Sequence, residues 1–398
     1  MNFFYLEARK NILRRYTIIA LILFLCLNTV KIITDYKSGE IKPVAANTSG
    51  MQAGYNEIYE KVKGEITEKT VSFVTSEYQR LDKLTADGTY SRKPQEGTYS
   101  GYIFGDYYLF HSYFYPYMEY SVKYSSEMEK VLTQAEENLK FYQENKNKAE
   151  TTKNAYILDR YNGRSISEFY LYDGWESLLS YDFSDLLILL LLVLAVAPAF
   201  TCEKENGMIL ILSSCKRGRW PMLFSKCGSA VIFSWLITAL FALFNLLVFG
   251  LLCGFEGWNS PLYAIESYRN TPFSGSVLMF YVLICGAKAI GFSVTVLLLI
   301  FLSACFKKSM YPCLAGMGLC IILNYCSGWA LSSVWWKQVL ACISPFTLTN
   351  GNLLLERLLG VSFGGIYVLQ IFIVLIVQMV MAYLLIMAIR RKLCCKWK

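Results

Sequence analysis

The sequence predicts a polytopic α-helical membrane protein, with six transmembrane helices and one inserted, largely helical extracytoplasmic domain. Three observations lead there. The chain has 398 residues, of which 55% are hydrophobic and only 17% charged, whereas soluble chains carry about 25% charged residues. Mean hydropathy is +0.36. The charge is also clustered: residues 35–182 hold 23 acidic and 17 basic side chains, which is 40 of the 68 in the chain. Finally, the apolar residues fall into long runs almost free of charge, as membrane helices require.

A spanning helix needs roughly 20 apolar residues to cross a ~30 Å hydrocarbon core. Six such runs are present, at 16–33, 183–202, 228–255, 277–306, 310–329 and 365–389. The first follows a basic stretch, as a signal peptide would. The small residues Val44-Ala45-Ala46 lie too far beyond it for a cleavage region, so an uncleaved anchor is expected at 16–34. The fourth run is long enough to tilt or to extend past the bilayer.

Lys and Arg in the short flanking segments set the orientation. Residues 1–15, 201–227, 306–309 and 390–398 contain sixteen of them, while 256–276 and 330–364 contain only Arg269, Lys337 and Arg357. Both termini, the amphipathic segment 1–15 and the tail 390–398, are therefore expected in the cytoplasm of a cell-membrane protein, with 35–182 outside. Residues 183–389 form the five-helix remainder of the transmembrane domain. Trp258, Trp329, Trp335 and Trp336 fall at the outer boundary, and Trp220 and Trp397 at the inner one, where an interfacial aromatic belt lies. The net charge of +8 thus divides by location and forms no stripe suited to nucleic acid.

The polar domain contains the only histidine, twenty of the 29 tyrosines and no cysteine. It must hold together by packing alone. Tyr55, Ile58, Tyr59, Val62, Ile66, Phe73, Leu81 and Leu84 recur at helical spacing, and so do Met128, Val131, Leu132, Ala135, Leu139 and Tyr142. Between them, 99–120 is crowded with aromatic rings. They could bind an amphipathic substrate, since tyrosine joins apolar area to a polar tip, but in a small domain without disulfides they are expected to serve as the core. His111 has no partner residues for a zinc site.

Between the second and third spans runs Phe200-Thr201-Cys202-Glu203-Lys204-Glu205-Asn206-Gly207-Met208-Ile209-Leu210-Ile211-Leu212-Ser213-Ser214-Cys215-Lys216-Arg217-Gly218-Arg219. Glu203 and Glu205 fall near a helix start, where carboxylates complement its dipole, and the basic cluster follows its end. Met208, Ile209, Ile211 and Leu212 sit on a piece too short to span, so they need a surface to bury against. Anionic lipid or a protein groove would serve.

The loop resembles that of type-2 ATP-binding cassette (ABC) permeases, in which an acidic residue and a glycine precede a short apolar helix, a serine pair and a glycine-arginine turn. The arrangement of six spans with a large polar insertion after the first is also similar to bacterial members of that family. The resemblance implies a permease subunit of an exporter; a peptide or another amphiphile is one candidate substrate, and a lipid, a drug or sodium ion are others. Loop 201–227 would couple it to cytoplasmic ABC ATPase subunits through Glu203, Glu205, Gly207, Met208, Ile209, Leu212, Arg217 and Arg219. A second permease subunit, identical or related, would complete the assembly in the lipid bilayer, and segment 1–15 would be an interfacial helix touching the ATPase.

ATP and Mg would sit on the partner ATPase, since this chain has no G-x-x-x-x-G-K-[ST] loop. It is expected to bind no cofactor or metal, to have no catalytic residue and not to be an enzyme. Lys288 lies eleven residues into the fourth run, about 16 Å deep at ~1.5 Å per residue, where charge must be paired or wet. It either lines a translocation path or serves the bundle structurally. Asp185 is read as an interfacial carboxylate, and 335–359 as a re-entrant pair of short helices, as in the resembling permeases. The alternative function is a membrane sensor with an extracytoplasmic ligand-binding domain. Its difficulty is that the largest inner segment has about 27 residues, too few for a signalling domain.

Overall fold

The computed structural model describes residues 14–42, 49–88, 97–208 and 219–395. Among the described residues, six helical stretches are long and apolar enough to cross a membrane. Helix α1 is Arg15–Ser38. The hydrophilic segment follows with α2 (Ser49–Val62), strand β1 (Gly64–Glu65), α3 (Glu68–Ala86), α4 (Ile103–Leu109), a π-helical turn (Phe110–Phe114), α5 (Tyr115–Glu144), α6 (Lys148–Tyr161), β2 (Glu168–Phe169) and α7 (Asp173–Ser180). The bundle continues with α8 (Phe183–Val196), the short α9 (Thr201–Glu205), α10 (Arg219–Cys253), α11 (Val277–Cys305) and α12 (Met310–Ser327). Three short helices, α13 (Trp335–Ile343), α14 (Phe346–Thr349) and α15 (Gly351–Glu356), lead into hairpin β3 (Gly360–Phe363) and β4 (Ile366–Leu369). Helix α16 (Gln370–Cys395) closes the chain.

Helices α8 and α11 form the middle of the bundle. In each, 61% of the most apolar window is buried, against 17% in α1 and α16. Their shared core includes Leu191, Phe200, Phe241, Phe292, Val296 and Ile300. Apolar side chains such as Ile19, Leu236, Ile321 and Met379 point outward, as lipid-facing surfaces do.

Among the boundaries that differ from the sequence reading, three have a clear local reason. The periodic run expected through 55–84 is split, because Gly64 and Glu65 pair antiparallel with Phe169 and Glu168. Helix α16 starts at Gln370 rather than 365, since 360–369 form an antiparallel hairpin whose Gly364-Gly365 tip has positive φ at both residues, the geometry of a primed hairpin turn. Helix α10 starts at Arg219 instead of 228, and Pro221 falls in its first turn, where a missing N–H costs nothing.

The aromatic run is helical and provides the core of the hydrophilic segment. Tyr55, Ile58, Leu109, Phe110, Tyr113, Phe114 and Met118 are buried together. The Asp106 carboxylate is fully buried and accepts from Tyr99 N, Ser100 N and Ser100 Oγ. His111 is exposed on this unit, stacked on Tyr107 at 5.3 Å with its Nδ1 3.3 Å from the Tyr78 hydroxyl.

A second layer of rings fixes the hydrophilic segment to the loop joining α10 and α11. Tyr124 and Tyr263 stack at 5.1 Å. Tyr120 and Tyr161 donate to the carbonyls of Tyr263 and Asn270. The Arg164 guanidinium donates to Thr271 O and lies over Tyr161 and Tyr263. Trp175 Nε1 donates to Glu256 O. These contacts end on backbone carbonyls of a loop, so they hold its irregular chain in one shape.

The three short helices before the hairpin dip back among the spans. Phe346, Thr347, Leu348 and Thr349 are all buried. Gly291 admits them: a Cβ there would stand 2.6 Å from Pro345 O. Their freed backbone groups are satisfied by side chains, since Gln378 Nε2 donates to Cys342 O and Ile343 O and Thr347 Oγ1 to Ala341 O. Non-helical backbone inside a bundle requires such coverage.

Candidate functional site

The first candidate region lies at the end of the bundle opposite the hydrophilic helices. Helix α8 ends just before Pro198, and the chain turns through Ala199 and Phe200 into α9. Phe200 N and Thr201 N both donate to Ser303 Oγ, at 2.9 and 3.3 Å. Lys204 Nζ lies 2.9, 2.7 and 2.7 Å from the carbonyls of Ser303, Ala304 and Phe306. These belong to the C-terminus of α11, where carbonyls lack helical partners and a cation is favoured.

Lys226, about two turns into α10, donates to Glu203 Oε1 at 2.9 Å, and both side chains are only 1% exposed. Glu205 takes the opposite direction: its oxygens accept from Ser309 N and Oγ at 2.8 Å each. A five-residue helix is thus bonded to α10, to the end of α11 and to the start of α12.

The residues predicted from the sequence separate here. Glu203 does not present its charge at the surface; its carboxylate is spent on Lys226, because an unpaired lysine at that depth would carry a large desolvation cost. Glu205, Gly207 and Met208 are exposed, and Met208 remains 43% accessible. Gly207 has φ +67, the left-handed region that glycine enters without steric cost, and so turns the chain beyond α9. Arg219 opens α10. Ile209, Leu212 and Arg217 lie outside the described residues, as does segment 1–13. Lys204 and Lys226, both among the sixteen orienting charges, and Ser303 anchor the segment and were not read from the sequence as site residues.

The second region is inside the bundle. Lys288 Nζ lies 2.7 Å from Asp185 Oδ2, and the two side chains are 16% and 15% exposed. Asp185, read from the sequence as an interfacial carboxylate, is thus the counter-ion of Lys288. The depths counted along the two helices disagreed because α11 has 29 residues, about 43 Å at ~1.5 Å each, and so exceeds a ~30 Å core. Lys288 therefore lies level with the start of α8, where the ion pair forms.

A chain of polar groups surrounds the pair. Asn28 Nδ2 donates to Asn245 Oδ1 at 2.7 Å, Asn245 Nδ2 to Ser184 Oγ at 3.1 Å, and the Tyr181 hydroxyl to Asn28 Oδ1 at 3.0 Å. Tyr281 donates to Ala242 O. A cavity of about 20 Å³ lies among them, room for about one water. On the other side of Asp185 is a larger cavity of about 360 Å³, bounded by α8, α12 and α14. Among the described residues no group of three or more His, Cys, Asp and Glu is placed to hold a metal.

Comparison of the chain with protein-family models, with curated proteins and with solved structures gives no match. The functional reading therefore rests on the residues themselves.

Proposed function

We propose that this chain is the permease subunit of an ATP-driven exporter of the type-2 ABC kind, working as a pair with a second permease subunit and with separate ATPase subunits. On this reading both termini and residues 201–227 face the cytoplasm, and 35–182 form an extracytoplasmic domain. The observation that carries the proposal is the mounting of residues 200–208. A loop that only rested on lipid would need no internal fixation. This one has a buried ion pair, three capped carbonyls and a doubly bonded carboxylate behind it, while Met208 stays exposed in front. Force applied to such a segment reaches three helices at once.

The sensor alternative gives the segment no task. The test is purification of the full chain from its native membrane with its partners retained. An ATPase should co-purify, and Met208→Asp should release it while leaving the chain inserted, since an apolar interface centre does not tolerate a charge. Purification without any ATPase, from membranes in which the chain is active, would overturn the reading.

A further inference from the structure

A cleft of about 540 Å³ opens where the β1–β2 pair meets the loop that follows α10. Lys63, just past α2, and Glu256 line it together with the rings of Tyr170, Phe255 and Trp258. Lys63 Nζ holds Glu60 at 2.6 Å and Glu256 at 2.9 Å, so one of its three ammonium protons is unused among the described residues. The Glu256 side chain is 44% exposed. Trp258 is 50% exposed although its backbone is fixed, its carbonyl accepting from Leu278 N in the first turn of α11.

The cleft continues into the outer face of a spanning helix. Leu236, Leu240, Leu243, Leu247 and Leu251 of α10 recur every three or four residues and so share one face. All five are exposed, Leu251 at 83%. Phe255 folds back over the same face, since a Cβ on Gly250 would stand 1.9 Å from its ring. Residues 227–255 carry no charged side chain. One surface thus runs from a basic and an acidic group, through three rings, to about 22 Å of leucine at ~1.5 Å per residue. We infer that this surface binds a zwitterionic phospholipid, one with an ethanolamine or choline head. Its ammonium sits among the rings beside Glu256, its phosphate takes the third proton of Lys63, and an acyl chain lies along the leucine face.

Other occupants match only part of it. A head with phosphate alone would bring negative charge to Glu60 and Glu256. A purely cationic head would meet Lys63 with nothing to offer its ammonium. A soluble zwitterion would leave the leucine face bare. Tryptophan and tyrosine suit the level of lipid head groups, and aromatic cages recur as receptors for quaternary ammonium. The volume falls within the usual range for ligand pockets, about 300–1,000 Å³. Exposed ion pairs contribute little to folding, so the charges of the cleft are open to substitution without unfolding the chain.

Binding needs neither nucleotide nor partner, and the site stands or falls separately from the exporter reading. The experiment is equilibrium binding of radiolabelled dioleoylphosphatidylcholine to the full chain in nonionic detergent micelles. Unlabelled phosphatidylethanolamine, phosphatidylglycerol, dioleoylglycerol and glycerophosphocholine serve as competitors. Saturable binding is expected, displaced by phosphatidylethanolamine. The other three lack the ammonium, the whole head or the chains, and should compete at least about tenfold more weakly. Glu256→Gln, and Trp258→Leu, which keeps apolar area and removes the ring, should each weaken binding about tenfold, with a melting temperature near that of the parent. Should Trp258→Leu unfold, Glu256→Gln decides alone, because it changes one surface group. Equal competition by any of those three, or unchanged affinity in the folded variants, would overturn the site. So would a dimer that Leu251→Asp splits while lipid binding stays the same, since the leucine face would then belong to a second copy of the chain.

Discussion

Asp185 and Lys288 show how a residue's setting changes what its removal does. Had Lys288 stood alone among apolar side chains, neutralising it would have relieved a desolvation cost. Paired at 2.7 Å and mostly buried, it behaves differently: Lys288→Ala strands a carboxylate, and breaking such pairs costs roughly 3–5 kcal/mol. Replacing both partners by uncharged groups of similar size is often neutral. Thermal unfolding of the purified chain should therefore show Lys288→Ala and Asp185→Leu strongly destabilised, and Asp185→Asn/Lys288→Met close to the parent. A near-parent single variant would mean that water, not Asp185, satisfies the lysine. The pairing was not read from the sequence, although runs 183–202 and 277–306 hold one charge each, of opposite sign; that these two spans pack together is visible only in the fold. Counting depth from helix ends hid this, because helix length does not reveal how far a helix protrudes.

At the scale of elements, the tyrosine-lined core of the hydrophilic segment makes a prediction about alkali. Burial, the largest influence on each, pushes the phenols of Tyr55, Tyr59, Tyr113 and Tyr117 above the usual tyrosine value. A folded state that holds protons longer than the unfolded chain is fully stabilised below the unfolded value, near pH ~10. Stability is lost as pH rises above it, because the unfolded chain has then released protons that the native one keeps. The melting temperature should fall steeply from about pH 10 upward, and tyrosinate absorbance should rise with unfolding rather than before it. A smooth titration of all tyrosines in the folded protein would contradict the packing. The helices that carry these rings were only partly legible. Periodicity marked the face of α2, α3 and the later turns of α5, but not the π-helical turn at Phe110–Phe114 or the hairpin at Gly360–Leu369, whose shapes depend on tertiary neighbours. The six spans needed only length and apolarity, and all six were legible to within several residues. The anchoring by Lys204 and Ser303 was not, because it joins positions about a hundred residues apart whose local sequence gives no sign of the contact.

Across the whole molecule, the two ends of the bundle are joined by one pair of helices. Helix α8 with α9 is tied to α11 near the hydrophilic segment by Asp185–Lys288, and at the opposite end by Lys204 and Ser303. A segment held at both ends moves with its partner as one rod. The proposed orientation is checked first: an impermeant maleimide should label Asn147→Cys in intact cells and spare Lys308→Cys. Both positions are exposed, and the hydrophilic segment has no native cysteine to confuse the signal. The reverse pattern would put loop 201–227 out of reach of a cytoplasmic ATPase. With that orientation, the rod predicts how Lys204→Met fails. The substitution keeps the apolar stem and removes the cation from three helix-terminal carbonyls, a loss of about 1 kcal/mol by comparison with other helix-end charges. That is too little to unfold the bundle, and Glu203–Lys226 still anchors the loop to α10. The ATPase should therefore bind Lys204→Met as well as the parent and hydrolyse ATP, while transport in proteoliposomes falls. Met208→Asp should instead lose the complex and hydrolysis together. If Lys204→Met transports normally for each ATP hydrolysed, motion passes from the loop into α10 alone, and the tie to α11 is structural only.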